Sequence, residues 1–399
     1  MLKGKTIILG VTGGIAVYKA ADLVSRLRKQ NAEVEVIMTE AAMEFVTPLT
    51  FQTMSNRPVH TSMFNEIDRF DVEHISLAKK ADMILVAPAT ANTIGKIANG
   101  IADNLLNTVI MASHAKIVFA PAMNTEMYNN PIFQENMDKL KGLGYEFIDP
   151  AVGLLACGDY GAGKMAEPAD IVDYVIDAFI EKDLVGKKFV ITAGPTIEPI
   201  DPVRYVTNHS SGKMGYLLAK EAKSRGADVV LISGPTSLEP PKGVEVVKVN
   251  TTREMFVAVG DYFESCDILI KSAAPADYRP ENVSAQKIKK REEKEDILNL
   301  SLVRNPDIAK HYGSKKTNQI IVGFAAESEN LVEYAKAKVL EKNFDFIVAN
   351  DITMEGAGFK SDTNIITIVD KNGDVEPYPI MTKANVAKVI IDRITSIIK

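Results

Sequence analysis

The feature that most constrains the fold of this 399-residue chain is an alternation that runs through it twice. Short β-branched runs at 6–11, 34–38, 83–87 and 116–120 are separated by helical patterns, one ending at Gln30 and one over 168–181. Strands interleaved with amphipathic helices predict a parallel sheet covered on both faces. The pattern restarts at Lys187, with strands at 189–193, 229–233, 244–249, 268–271, 320–325, 346–349 and 364–369. Helices are expected there over 213–225, 331–341 and 383–398. A polar stretch at 181–187 is the expected hinge, giving two α/β domains, 1–187 and 188–399. That length is also more than one core usually supports.

Composition removes several function classes. Forty-six basic against 52 acidic residues give a net charge of -6, with no broad basic field for a nucleic-acid backbone. Two cysteines, Cys157 and Cys266, cannot make a disulfide framework, so a reducing, cytoplasmic setting is expected. Lys3 and Lys5 before an apolar run imitate a secretory leader, but three glycines break the run. Val17, Ala20, Val24 and Leu27 then follow at helical spacing, so the reading is strand, turn and helix. With no run of about 18 apolar residues, no membrane span is expected.

The first strand runs into Thr12, Gly13, Gly14 and Ile15, a turn that lets backbone amides approach an anion at a helix start. The spacing is not the GxGxxG dinucleotide fingerprint, and Thr39 stands where a ribose-binding acid would follow the second strand. A plain structural turn stays open. The segments 87–93, with Thr90, Ala91, Asn92 and Thr93, and 120–124, ending in Asn124, put small and polar residues at strand ends, where open parallel sheets bind ligands. Between them, 95–104 is polar enough to hydrogen-bond a ring system and small enough to approach it closely. His74 could relay a proton or be structural. Cys157 lies in a glycine-rich loop that could offer its thiol to a substrate or simply pack it, whereas Cys266 reads as core.

In the second half, residues 193–196 and 201–215 again bring serine, glycine and a helix start together, suiting a phosphate or merely a cap. Gly212-Lys213 lacks the rest of a Walker sequence. Lys287, Lys289 and Lys290 could close over a triphosphate or form a solvated surface run. Asp277 could orient Mg2+ or a ribose.

Five ordered motifs, Thr12 to Ile15, His74-Ile75, 87–93, 121–124 and 155–158, resemble the flavin-containing phosphopantothenoylcysteine decarboxylases over most of 1–180. The resemblance implies FMN held by Gly13, Gly14, Ile15, Thr39 and Thr90 to Thr93, and His74 near the reacting centre. It further implies Asn124 on the substrate carboxylate and Cys157 as a proton donor on a flap. The implied chemistry is redox-neutral: oxidation to a thioaldehyde makes the carboxylate β to C=S, CO2 leaves, and hydride returns with a proton. Lys164 departs from the arginine expected in the flap, keeping charge but losing bidentate geometry.

Residues 186–399 resemble the bacterial CTP-using phosphopantothenate-cysteine ligases through 193–196, 208–215, 276–279, 287–290, 305–308 and 323–327. That implies Arg204 and Asn208 at the acyl-cytidylate. It also implies Asp277, Lys287, Asn305, Pro306, Asp307, Ile308, Phe324, Lys338 and Lys342 at CTP, with Mg2+ at Asp277. The expected architecture is therefore a flavodoxin-like or Rossmann-like flavoprotein domain followed by a Rossmann-like ligase domain, in the order of the bifunctional bacterial enzymes. Their small-molecule substrates, trimeric decarboxylase contacts and dimeric ligase contacts are implied with it. A flavin prenyltransferase or a regulatory flavin-binding protein is the alternative, disfavoured because His74, Asn124 and Cys157 are all present. A nicotinamide dehydrogenase would need the missing fingerprint.

Overall fold

In the computed structural model, residues 2–63, 72–154, 158, 160–289, 298–327, 330–351 and 361–398 are described. They form two compact units, Met1–Ile180 and Glu181–Lys399. No helix among the described residues is long and apolar enough to cross a membrane.

The first unit contains strands β1 (Thr6–Val11), β2 (Glu33–Met38), β3 (Val59–His60), β4 (Met83–Ala89), β5 (Lys116–Pro121) and β6 (Glu146–Phe147), followed by the hairpin β7 (Ala151–Leu154) and β8 (Tyr160–Lys164). Its helices are α1 (Val17–Lys29), α2 (Glu40–Met43), α3 (Pro48–Ser55), α4 (Glu73–Lys80), α5 (Ala91–Ala98), α6 (Leu105–Ala112), α7 (Thr125–Asn129), α8 (Pro131–Gly142) and α9 (Pro168–Ala178). Six parallel strands are ordered β3-β2-β1-β4-β5-β6. Every residue of β1 and β4 is buried, as a sheet covered on both faces requires. Two cores lie against the sheet, one holding α1 and α9, the other α5, α6 and α8. β3 and β6 were not expected, because two-residue strands carry no period.

The second unit runs β9 (Lys188–Ala193), β10 (Ile197–Pro199), β11 (Tyr205–Thr207), β12 (Asp228–Ser233), β13 (Glu245–Lys248), β14 (Ile268–Lys271), β15 (Tyr278–Pro280), β16 (Leu302–Arg304), β17 (Ile320–Glu327), β18 (Phe346–Asp351), β19 (Thr363–Asn364), β20 (Ile366–Asp370), β21 (Val375–Pro377) and β22 (Met381–Thr382). Helices α10 (Lys213–Ser224), α11 (Thr252–Phe263), α12 (Ile308–Ser314), α13 (Leu331–Glu341) and α14 (Lys383–Ile398) complete it. The sheet order is β13-β12-β9-β14-β17-β18-β20-β21, parallel through β18 and antiparallel beyond. The antiparallel edge was not legible, because a single strand's pattern does not show its direction. Part of the expected hinge is anchored. Asp183 receives Nε and Nη2 of Arg225 at 2.8 and 2.6 Å, and Leu184 is fully buried.

One ion-pair network braces the edge of the first sheet. Glu35 on β2 is buried and accepts from Arg57 at 2.8 Å and from Lys80 on α4, while His60 Nε2 lies 3.7 Å away. His60 Nδ1 meets Glu73 of α4 at 2.5 Å. The imidazole of His60, with Lys80 and Arg57, holds Glu35 down from 4.5 to about 2 against the opposing effect of burial. Burial opposes protonation of His60, but Glu35 and Glu73 outweigh it and raise its pKa above 6.5. A carboxylate held low stabilises the fold fully above pH 4.5 and ceases to do so as pH falls toward about 2. His60 contributes fully below pH 6.5 and loses its contribution as pH rises through its elevated folded value. Glu35→Gln is expected to remove the first dependence: in chemical denaturation between pH 5 and 2.5, the stability of the parent's first unit should fall more steeply than the variant's, and parallel curves would contradict the assignment.

Candidate active sites

An open parallel sheet leaves a crevice outside the carboxyl ends of its strands where the strand order reverses, here between β1 and β4. A cavity of about 1200 Å³ lies there, lined by the loops after β1, β2, β3, β4 and β5. Thr12, almost fully buried, ties the two central loops together: its hydroxyl donates to Pro88 O at 2.7 Å and accepts from Thr90 N at 3.0 Å. Thr90 in turn caps α5 by accepting from Thr93 N, and Thr39 caps α2 by accepting from Ala42 N. A Cβ on Gly13 would lie 2.5 Å from Ala41 Cβ and 2.8 Å from the Ala41 backbone, so only glycine lets the turn seat on α2. Beyond it, the backbone amides of Gly14, Ile15 and Ala16 reach the start of α1 without a protein acceptor among the described residues.

Gly13, Gly14, Ile15, Thr39, Thr90, Ala91, Asn92, Thr93 and Asn124 all line this cavity. Asn124 caps α7, its Oδ1 accepting from Glu126 N at 2.8 Å, which fixes the direction of the amide. The β7–β8 hairpin lies against the same loop: Met123 N donates to Gly163 O at 2.9 Å, and a Cβ on Gly163 would lie 2.3 Å from Met123 O. Lys164 lines the cavity and pairs with Glu167 at 3.2 Å, a carboxylate shared with the buried Lys19 at 2.9 Å. Cys157 lies outside the described residues. His74 is half-buried at the second position of α4 and is not part of the described cavity wall.

In the second unit a cavity of about 550 Å³ opens beside the carboxyl end of β14, between the loop that follows it, the start of α12, and residues of β17, β18 and α13. Asp277, Asn305, Pro306, Asp307, Ile308, Phe324, Lys338 and Lys342 all line it. Asn305 is largely committed to shaping the wall: its backbone N donates to Asp277 O at 2.8 Å and its Nδ2 to Ala276 O at 2.9 Å. Asp307 caps α12 and pairs with Lys342 at 3.1 Å. Asn208, Arg204 and Lys287 are not in this wall. Asn208 donates to Pro275 O of the wall at 3.0 Å, Arg204 is engaged by Asp201, and Lys287 is exposed. Lys290 lies outside the described residues. No group of three or more potential metal ligands occurs among the described residues, so protein groups do not by themselves build a metal centre around Asp277.

The sequence reading missed Lys271. It ends β14, is almost fully buried, lines the cavity, and burial lowers its pKa to about 8 despite the opposing charge of Asp307. The signal was available: a lysine closing an apolar central strand stands at the carboxyl edge of a parallel sheet, where ligands bind. Cys266 is buried as expected, with its thiol pushed up to about 12 by burial.

Comparison with known proteins agrees with this division. Residues 184–398 match the family described as DNA/pantothenate metabolism flavoprotein C-terminal domain, and residues 1–180 match the family described as Flavoprotein. The Coenzyme A biosynthesis bifunctional protein CoaBC of Bacillus subtilis (strain 168) is 48% identical over 403 residues, covering 100% of this chain and 98% of that protein. The chain belongs to the coenzyme A biosynthesis bifunctional proteins. The member of this family from Escherichia coli (strain K12) is 43% identical over 397 residues, covering 99% of this chain and 98% of its own length. A crystal structure of the C-terminal domain of a CoaBC protein is 43% identical, covers 55% of this chain and 98% of that chain, and aligns with a TM-score of 0.47.

For this member of the bifunctional family, Lys271 makes a sign-specific prediction. A lysine with a lowered folded pKa destabilises the fold while charged, and that cost disappears as pH rises from about 8 to 10.5. Lys271→Met is therefore expected to raise unfolding free energy by up to about 3 kcal/mol near neutral pH, with the gain shrinking above pH 8. Denaturant melts at pH 7 and 10 check it; a variant less stable than the parent at pH 7 would contradict it.

Proposed function

We propose that this chain catalyses two consecutive steps of coenzyme A biosynthesis: CTP-dependent ligation of 4'-phosphopantothenate to cysteine, then FMN-dependent decarboxylation of the phosphopantothenoylcysteine formed. The observation that carries this reading is the presence of two separate crevices, one beside the strand ends of each unit's sheet, in a chain related end to end to bifunctional proteins of this pathway. Each unit thus has its own place for chemistry.

The first crevice fits FMN. Unpaired amides at Gly14 to Ala16 and the start of α1 suit a phosphate, and Met38, Leu106 and Ala91 supply apolar surface for a ring system. Gly13, Gly14, Ile15, Thr39 and Thr90 to Thr93 are the residues to hold it. When bound, FMN supplies the reversible two-electron redox step that gives the departing carboxylate an electron sink. Asn124, oriented by its cap, directs an amide donor at the substrate carboxylate. Cys157 donates the proton that completes the product, and His74 serves proton transfer near the reacting carbon. Lys164 is held by Glu167 and adds positive charge at the mouth.

In the second crevice, the 4'-phosphopantothenate carboxylate attacks the α-phosphorus of CTP and pyrophosphate leaves, giving an acyl-cytidylate. The amine of cysteine then attacks the acyl carbon and CMP leaves. Lys338, Lys342 and Lys271, with Lys287 from its loop, offset charge building on the phosphates. Asp277 is the protein group for Mg2+, the nucleotide phosphates and water completing its shell. Asn305 to Ile308 and Phe324 shape the nucleotide site, while Arg204 and Asn208 serve the acyl-cytidylate. The enzyme works in the cytoplasm as a homo-oligomer, through trimeric decarboxylase and dimeric ligase contacts.

Incubation of the full chain with 4'-phosphopantothenate, cysteine, Mg2+ and CTP is expected to yield CMP, CO2 and 4'-phosphopantetheine. Cys157→Ser is expected to leave CMP formation intact while lowering 4'-phosphopantetheine formation at least about 100-fold. Absence of CMP from folded parent protein would sink the ligase assignment, and normal product from Cys157→Ser would sink the proton-donor role.

A further inference from the structure

On the ligase reading, the lysine loop must be held where its side chains can reach the nucleotide. Strand β15 leaves the wall of the nucleotide cavity at Tyr278 and strand β16 returns to it at Arg304, the two pairing antiparallel. Glu281 N donates to Ser301 O at 2.9 Å, extending that pairing by one step. Lys287 and Lys289 stand further out, on a segment with neither helix nor strand to fix it. Among the described residues, 284–289 is fastened at only two places, both on the turn between β10 and β11. Ser284 N donates to Ile200 O at 3.0 Å. Ile288 is gripped at both of its backbone groups: its N–H donates to Asp201 Oδ2 at 3.1 Å and its carbonyl accepts from Arg204 Nη2 at 2.8 Å.

Asp201 is the centre of this clamp. Its side chain has no exposed surface, and its Oδ1 accepts from the backbone N–H groups of Val203 and Arg204, both at 2.8 Å. Its Oδ2 takes Arg204 Nε at 3.0 Å as well as the Ile288 N–H. The Arg204 guanidinium holds the carboxyl well below the usual carboxylate range, so the clamp is charged wherever the enzyme works. Neither residue lines the cavity. The grip falls on the one residue between Lys287 and Lys289, so loosening it frees both lysines from the turn between β10 and β11.

We infer that Asp201 is a positioning residue for ligation: by gripping the backbone of Ile288, together with Arg204, it sets the place from which Lys287 reaches the triphosphate. Arg204 shares that grip through its guanidinium. A residue that works through another should lose its effect when that other is removed.

The test is a double-mutant cycle in the full chain with Asp201→Asn and Lys287→Ala, reading single-turnover pyrophosphate release from CTP and 4'-phosphopantothenate without cysteine. Asp201→Asn is expected to slow that step about 10-fold, with the KM for CTP moving less than about 2-fold. In the Lys287→Ala background the same substitution should cost less than about 2-fold. Trypsin cutting after Lys287 and Lys289 should quicken several-fold in Asp201→Asn, while CO2 release from supplied phosphopantothenoylcysteine stays at the parent level. Equal losses in both backgrounds, no loss in either, or unchanged trypsin cutting would each overturn the inference. Failure of the parent to release pyrophosphate would instead remove the ligase reading beneath it.

Discussion

The reversal of strand order at the middle of each sheet is the constraint on which the rest of the molecule depends. Where β1 is flanked by β2 and β4, and β9 by β12 and β14, successive connections pass to opposite faces and their loops diverge. The gap between them is polar at its rim, because strand ends release backbone groups, and apolar beneath, because the strands are buried on both faces. Thr12 shows how closely the gap is controlled: one buried hydroxyl joins the loops after β1 and β4 and thereby fixes the floor of the crevice.

The same architecture serves two chemistries because the loops differ. In the first unit the larger wall carries Lys19, Glu40, Lys96, Asp103 and Lys164 but is mainly uncharged, with glycines, hydroxyls and amides around the turn after β1, which suits a large ligand carrying a single terminal phosphate. In the second, six charged side chains, Lys271, Asp277, Arg304, Asp307, Lys338 and Lys342, crowd a smaller cavity, and the four cations among them suit a ligand carrying several phosphate charges. The buried Lys271 is costly to the fold while charged, because burial outweighs the nearby charge of Asp307, and such a cost is tolerated where binding and stability compete. Fusion of the two units is chemically coherent, since the product of ligation is the substrate of decarboxylation.

Much of this was legible beforehand for a physical reason: central strands are continuous apolar runs, and ligand-bearing loops follow them directly. Hence Thr90 to Thr93 and Asn124 could be placed at strand ends before any coordinates. Less visible were features set by neighbours distant in sequence. Asp201 looks like an ordinary turn residue until Ile288, 87 positions away, is found bonded to it. The family resemblance puts Arg204 at the acyl-cytidylate, and its guanidinium faces Asp201 and a backbone carbonyl. Asn305 matches a nucleotide motif, and its amide is spent on supporting Ala276. His74 belongs to a motif of the decarboxylases, but the wall of the described cavity does not include it.

The central claim, that one chain carries a flavin crevice in its first unit and a nucleotide crevice in its second, is tested most directly by ligand-linked unfolding. A ligand stabilises the unit whose folded form binds it. Hydrogen exchange read by mass spectrometry, with FMN and with CTP plus Mg2+ added separately, should show FMN protecting peptides from 12–19 and 89–93, and CTP protecting peptides from 271–278 and 304–309. Protection of the same unit by both ligands, or of neither unit by either, would contradict the account.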